Sequence, residues 1–174
     1  LMQAKLSNGD DTIIMATKEG KSIRFDENQV RPTGRRTKGV RGIMLGSSDE
    51  VIGMLIAKRE GSVLVASENG YGKRSNLDEY RIQSRGGKGV YTMKKTHKTG
   101  PLVTILETID DDDLMIITTQ GVMIRQNVNA IRIIGRNTQG VRLLRLDDNS
   151  KISSVTKVIK APDESSTDNL EDDI

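Results

Sequence analysis

Three glycine pairs limit what this chain can fold into. Gly20, Gly70 and Gly121 each follow a short apolar run and a polar turn, while Gly39, Gly89 and Gly140 each precede a run that opens with valine (Val40, Val90, Val141). Within every copy the two glycines stand 19 residues apart, and successive copies are offset by 50 and then 51 residues. Self-similarity at such a period marks stacked or radially arranged units, none of which can bury its apolar face alone.

Each unit reads as four strands. In the first, Thr12 to Thr17 and Ser22 to Phe25 flank the turn at Lys18-Glu19-Gly20, and Val40 to Leu45 and Val51 to Ile56 flank Gly46-Ser47-Ser48-Asp49. The second repeats this with Val63 to Ser67, Tyr71 to Ser75, Val90 to Met93 and Leu102 to Leu106; the third does so with Leu114 to Thr118, Val122 to Gln126, Val141 to Leu146 and Ile152 to Ile159. Short β-branched runs bounded by Gly, Asp, Asn and Ser are strand signals, and the glycine after each first strand supplies a hairpin's positive φ. No stretch sustains a 3.6-residue apolar stripe over ten residues.

Four strands per unit of this length is the pattern of a propeller blade. The expected fold is all-β and propeller-like. Residues 11–59, 60–110 and 111–160 are the blades, residues 1–10 end a preceding blade or connector, and residues 161–174 form an acidic disordered tail. Closed propellers have about four to eight blades, so three are part of a larger disc, completed by further chain or by another copy.

Basic residues keep the register of the repeat. Arg24, Arg74 and Arg125 share one position in the second strand; Arg31, Arg81 and Arg132 share another, and Arg35, Arg85 and Arg136 a third. Lys38 and Lys88 share a fourth, where the last copy has Gln139. The last three positions lie in a connection of about 13 residues (Asp26 to Lys38 in the first unit), a length that is uncommon without a function. Equivalent loops on successive blades run along one rim, so their guanidiniums form a curved cationic track that suits a bent duplex gripped by its phosphates. For the strand-two arginines, capping of strand edges or pairing with acids fits equally well.

Charge supports the track. The chain has 27 Lys and Arg against 24 Asp and Glu, but six of the acids and none of the bases fall in residues 161–174, leaving a surplus of nine bases in the rest. The absence of cysteine excludes disulfides and thiolate chemistry, and the single His97 argues against a histidine metal site or a serine–histidine triad. With one Phe, three Tyr and no Trp, stacking on single-stranded bases is not a main binding mode. Gly34 to Gly39 and Gly135 to Gly140 have P-loop glycine spacing, but Val40-Arg41 and Val141-Arg142 follow where Lys and Ser or Thr are required. No metal, cofactor or catalytic residue is expected. Without a leader or a long apolar run, a soluble intracellular location is expected.

Particular segments go further. Gln83-Ser84-Arg85-Gly86-Gly87-Lys88-Gly89 resembles the Gln-Arg-Arg-Gly-Gly-Lys-Gly box of the DNA gyrase A family. Asn69-Gly70-Tyr71-Gly72-Lys73-Arg74, Gly135-Arg136-Asn137-Thr138-Gln139-Gly140-Val141 and Val40-Arg41-Gly42-Ile43 are similar to segments late in that family's C-terminal domain. The resemblance covers roughly residues 3 to 160. It implies a β-pinwheel, a six-bladed disc whose outer strands are exchanged between neighbours, of which these would be the last three blades. It also implies a non-catalytic domain that binds and wraps duplex DNA on its rim. Its partners would be the other blades, the N-terminal breakage-reunion region and the gyrase B protein, in an ATP-dependent, bacterial, nucleoid-associated topoisomerase. Ser84 departs from the box by one arginine, and the family's functional box lies in the first blade, so Gln83 to Gly89 reads as an echo of it.

The DNA-binding set expected from the repeat and the resemblance is Arg31, Arg35, Arg36, Lys38, Arg41, Lys73, Arg74, Arg81, Arg85, Lys88, Arg132 and Arg136. Rival readings are a topoisomerase IV C-terminal domain and a propeller-type scaffold whose rim meets an acidic protein. Asp110 to Asp113 read as a solvated turn, His97 as a loop residue, and Met15, Met44, Met93, Met115 and Met123 as core filler. The tail reads as a solvated segment or a competitor for the track.

Overall fold

The computed structural model describes residues 2–158; the acidic tail lies outside them. Among the described residues eleven strands form in the order expected from the apolar runs: β1 (Thr12–Thr17), β2 (Lys21–Asp26), β3 (Val51–Ala57), β4 (Ser62–Ser67), β5 (Tyr71–Asn76), β6 (Val90–Tyr91), β7 (Leu102–Thr108), β8 (Asp113–Thr118), β9 (Met123–Asn127), β10 (Val141–Arg142) and β11 (Ile152–Val158). All pair antiparallel, in three sheets ordered β3-β1-β2-β6, β10-β5-β4-β7 and β11-β8-β9.

The sheets are not the four-stranded repeats that the residue pattern alone suggests. The outer strand of the first sheet, β6, comes from the second repeat, and the outer strand of the second sheet, β10, comes from the third. Strand exchange of this kind is what the family resemblance implied. The exchanged strands are also two residues long, where four and six were expected. Val40 to Leu45 forms no strand, because its counterparts pair with the sheet of the preceding repeat and no such sheet lies among the described residues. It lays Ile43 onto the first sheet instead, with Ile23 and Phe25. For the same reason the third sheet has three strands among the described residues.

Glycine at the second repeat position is required by the exchange. Gly89 has φ +69° and Gly140 φ +76°, and a Cβ would lie 2.4 Å from the Ser22 carbonyl oxygen and 2.6 Å from the Gly72 carbonyl oxygen respectively. Backbone on backbone at that distance lets β6 and β10 enter their ladders.

Alternation along the central strands sends apolar side chains to both faces, so cores form between sheets. Ile14, Ala16 and Leu55 of the first sheet meet Val63, Val65 and Ile105 of the second. Leu64 and Ala66, on the opposite face, meet Leu114, Ile116 and Val155 of the third. The innermost edges are β3, β7 and β11, which pack in succession, so β6 and β10 mark the outside of the arc. Of the strand methionines, Met93 is buried and Met15 and Met115 partly so, whereas Met44 and Met123 are exposed and fill no core among the described residues.

Candidate nucleic-acid interface

After β2, β5 and β9 a single 3-10 turn (Glu27–Gln29, Leu77–Glu79, Val128–Ala130) redirects the chain. From there residues 81–91 and 132–142 run outward along the preceding sheet as two arms. Each first makes a parallel bridge to a strand-two arginine, Ile82 with Arg24 and Ile133 with Arg74, then turns and re-enters as the exchanged strand. The box-like segment is the turn of the first arm. The Gln83 amide donates to the Arg24 carbonyl at 2.8 Å, the Gly87 amide to the Ser84 carbonyl at 3.3 Å, and the Gly86 amide to the Gly42 carbonyl at 2.8 Å. Its backbone is therefore pinned to the first repeat.

The arginines divide into two populations. One population is structural. Arg24 donates to the carbonyls of Leu77 and Tyr80, both at 3.0 Å, and Arg74 to the Ile131 carbonyl at 2.8 Å and to Asp110 at 2.5 Å. Each reaches into the following repeat. Arg125, the third of this set, pairs with Asp113 of its own sheet at 2.6 Å. Arg85 and Arg136 behave alike: Arg85 donates to the Gln29 carbonyl at 2.8 Å and the Arg41 carbonyl at 2.5 Å, and Arg136 to the Glu79 carbonyl at 3.2 Å and the Tyr91 carbonyl. Lys73 is fully buried, with Nζ donating to Ser75 Oγ at 3.1 Å, to the Gly135 carbonyl at 2.5 Å and to the Arg136 carbonyl. Burial pushes its pKa down to about 8.

Lys73 and Arg74 thus correct the sequence reading: both are interior clasps between repeats, closed to a phosphate. Arg85 and Arg136 are partly exposed, and each places two of its five N–H donors on backbone carbonyls. These bonds tie each arm to the backbone of the preceding repeat at the same two places, Gln29 and Arg41 in the first repeat and Glu79 and Tyr91 in the second, which accounts for the recurrence.

The second population is free. Arg31, Arg35, Arg36, Lys38 and Arg41 in the first repeat, Arg81 and Lys88 in the second, and Arg132 in the third are exposed. None makes an ion pair among the described residues. One sequence signal separates the arms from the rest of the chain. Residues 28–48, 80–106 and 114–146 contain no Asp or Glu, so the arms carry no acid of their own, although the Glu79 carboxylate reaches the second arm and accepts from the Arg136 amide at 2.6 Å.

The acids are gathered elsewhere. Asp110 to Asp113 are not a simple solvated turn: Asp112 is buried against Arg59 at 2.9 and 3.1 Å, Asp113 holds Arg125 and Asn127, and Asp110 holds Arg74. No group of acids or histidine suited to a metal occurs among the described residues, and no helix there is long and apolar enough to cross a membrane. His97 is an exposed loop residue, as expected.

Comparison with known proteins agrees with this geometry. The family model described as "DNA gyrase C-terminal domain, beta-propeller" matches residues 11–58, 61–106 and 112–159. The chain is 39% identical over 171 residues to the DNA gyrase A protein of Escherichia coli (strain K12), covering 98% of this chain and 20% of that protein. It is 43% identical over 170 residues to the DNA gyrase A protein of Staphylococcus aureus (strain MRSA252), covering 97% and 19%. The chain therefore spans about one fifth of the length of these relatives. A solved gyrase A C-terminal domain superposes with a TM-score of 0.81 at 31% identity, over 86% of this chain and 51% of that one. A topoisomerase IV C-terminal domain superposes at 0.84 with 25% identity, over 89% and 49%. Three matched repeats, exchanged outer strands and these relatives together place the chain in the DNA gyrase C-terminal domain family of β-propellers.

Proposed function

We propose that this chain binds duplex DNA by its phosphate backbone along the outer arms and the corresponding segment of the first repeat, residues 31–41, and bends the duplex around them. The observation that carries the reading is the free population: eight exposed cations, recurring on all three repeats, on stretches without a single acid. Phosphate contacts of this kind position a duplex without reading its sequence. Bending a 20–30 base-pair site costs on the order of 1–6 kcal/mol, which counterion release from several arginine–phosphate contacts offsets at low salt. In this reading the part of the chain is to bind and bend, not to cleave. In the whole protein it would present a wrapped segment to a breakage-reunion region acting with the gyrase B protein, in ATP-dependent negative supercoiling in the bacterial cytoplasm. The likeness to a topoisomerase IV domain supports a second reading with the same surface and a different whole-enzyme outcome.

Salt titration of duplex binding tests this. Neutralising Z phosphates gives a log–log slope near −0.9Z, so the eight free cations set a limit of about −7. Replacing Arg81, Lys88 and Arg132 by Ala should flatten the slope by about 2.7. A parent slope near −1, as for an acidic protein partner of few contacts, refutes the reading.

A further inference from the structure

Two cations from different repeats converge on one tyrosine. Tyr71, in β5, is nearly buried and stands opposite Arg142 in the exchanged strand β10. Arg142 donates to the Tyr71 hydroxyl at 3.0 Å, with its guanidinium carbon 5.6 Å from the ring centre. Lys98, from the loop between β6 and β7, places its ammonium 5.3 Å from the same centre. Among the described residues neither cation has a carboxylate partner.

The loop is braced for this. The Asn69 side-chain amide donates to the carbonyls of His97 and Lys98, both at 3.2 Å, and the buried Thr99 hydroxyl accepts from the Thr96 amide at 2.9 Å. The preceding junction is built with one cation only: Lys21 stands opposite Tyr91 at 5.7 Å, ring and cation having exchanged strands, and Ser48 occupies the position of Lys98. A cavity of about 850 Å³ lined by Tyr91, Lys94, His97 and Asn137 borders the same loop. Arg142 also holds the Tyr71 phenol below its ordinary range, as expected of a ring flanked by uncompensated positive charge.

A pair of cations held on a fixed aromatic base and lacking an acid is a receptor that misses its anion. We infer that Tyr71, Lys98 and Arg142 form a further phosphate site, on the second sheet where the third repeat joins the second, that holds a non-bridging phosphodiester oxygen of duplex DNA. This rests on the duplex-binding reading above and adds contacts outside the eight-cation set. Arg142 offers its remaining N–H edge and Lys98 its three donors, the geometry that a phosphate recognises.

The test is the salt dependence of binding a fluorescently labelled mixed-sequence duplex, followed by anisotropy with the full chain. Lys98→Ala and Arg142→Ala should each flatten the slope by about 0.9, while Arg142→Lys, which keeps the charge, should preserve it. Lys98→Ala sits in an exposed loop and controls for folding. If the parent chain fails to bind duplex, both the underlying reading and this site fall. If the parent binds with a steep slope that Arg81→Ala flattens, but Lys98→Ala and Arg142→Ala leave unchanged, only this site is overturned. Loss of polyglutamate binding in those two variants, with duplex binding intact, would also overturn it, in favour of an acidic protein segment.

Discussion

The division of the arginines makes a prediction that separates stability from binding. Arg74 and Arg81 are seven residues apart in the same repeat, and both repeat in register. Arg74 is buried; its Nε is the donor to the Ile131 carbonyl and its Nη1 holds Asp110. Hydrogen bonds involving a charged group are worth about 1.5–3 kcal/mol, and a buried carbonyl left without its donor costs about 1–3 kcal/mol. Asp110 is itself largely exposed, so the ion pair adds about 1 kcal/mol at most. Arg74→Ala should therefore destabilise the chain by roughly 2–4 kcal/mol. Arg74→Lys keeps the charge but not the fork that spans carbonyl and carboxylate, and should recover less than half of that loss. Arg81→Ala removes an exposed side chain that makes no ion pair among the described residues, and should stay within about 0.5 kcal/mol of the parent. Duplex affinity should show the opposite order once each variant is measured where it is fully folded. Urea denaturation followed by far-ultraviolet circular dichroism gives the first ranking and anisotropy the second. Equal stability losses in Arg74→Ala and Arg81→Ala would refute the distinction between clasp and rim.

Three further outcomes follow from the same contacts. Lys73 has a folded pKa of about 8, below its ordinary value near 10.4, so the unfolded chain binds more protons between those values and stability should rise with pH across that window, by up to about 3 kcal/mol; Lys73→Met should abolish the rise, and a rise that persists would place its origin elsewhere. Gly89→Ala meets the Ser22 carbonyl and should cost roughly 2–4 kcal/mol in denaturation, whereas Gly39→Ala, at the same repeat position with φ +71° but open space around it, should cost only about 1 kcal/mol. Asp112→Asn breaks a buried bidentate pair with Arg59 and should lower the denaturation midpoint by an amount equivalent to roughly 2–4 kcal/mol, an effect that Asp111→Asn, exposed, should not reproduce.

Much of the candidate site was readable in one dimension, but not its division of labour. Periodic arginines look alike in sequence whether they face a carbonyl or water. Arg81 and Arg85 both recur in register within the same arm, yet Arg85 is spent on Gln29 and Arg41 while Arg81 is free. Lys73 carried even less signal, because Ile23 and Ile124 hold the equivalent position and nothing local marks it as buried. The acid-free windows were the more useful clue, since a cation there finds a carboxylate only beyond its own window, as Lys95 does in Glu19 and Arg125 in Asp113, and otherwise meets carbonyls or water.

What the order of residues determined by itself was the modular, all-β character of the protein: period-two apolar runs, glycines at constant spacing and a base surplus outside the acidic end are local properties that survive any rearrangement of the modules. What only the tertiary structure decided was which module each outer strand completes and which cations it leaves in water. Both depend on contacts between repeats some 50 residues apart, such as Val90 on Ser22 and Arg74 on Ile131, and no pattern within a single repeat records the partner across that gap.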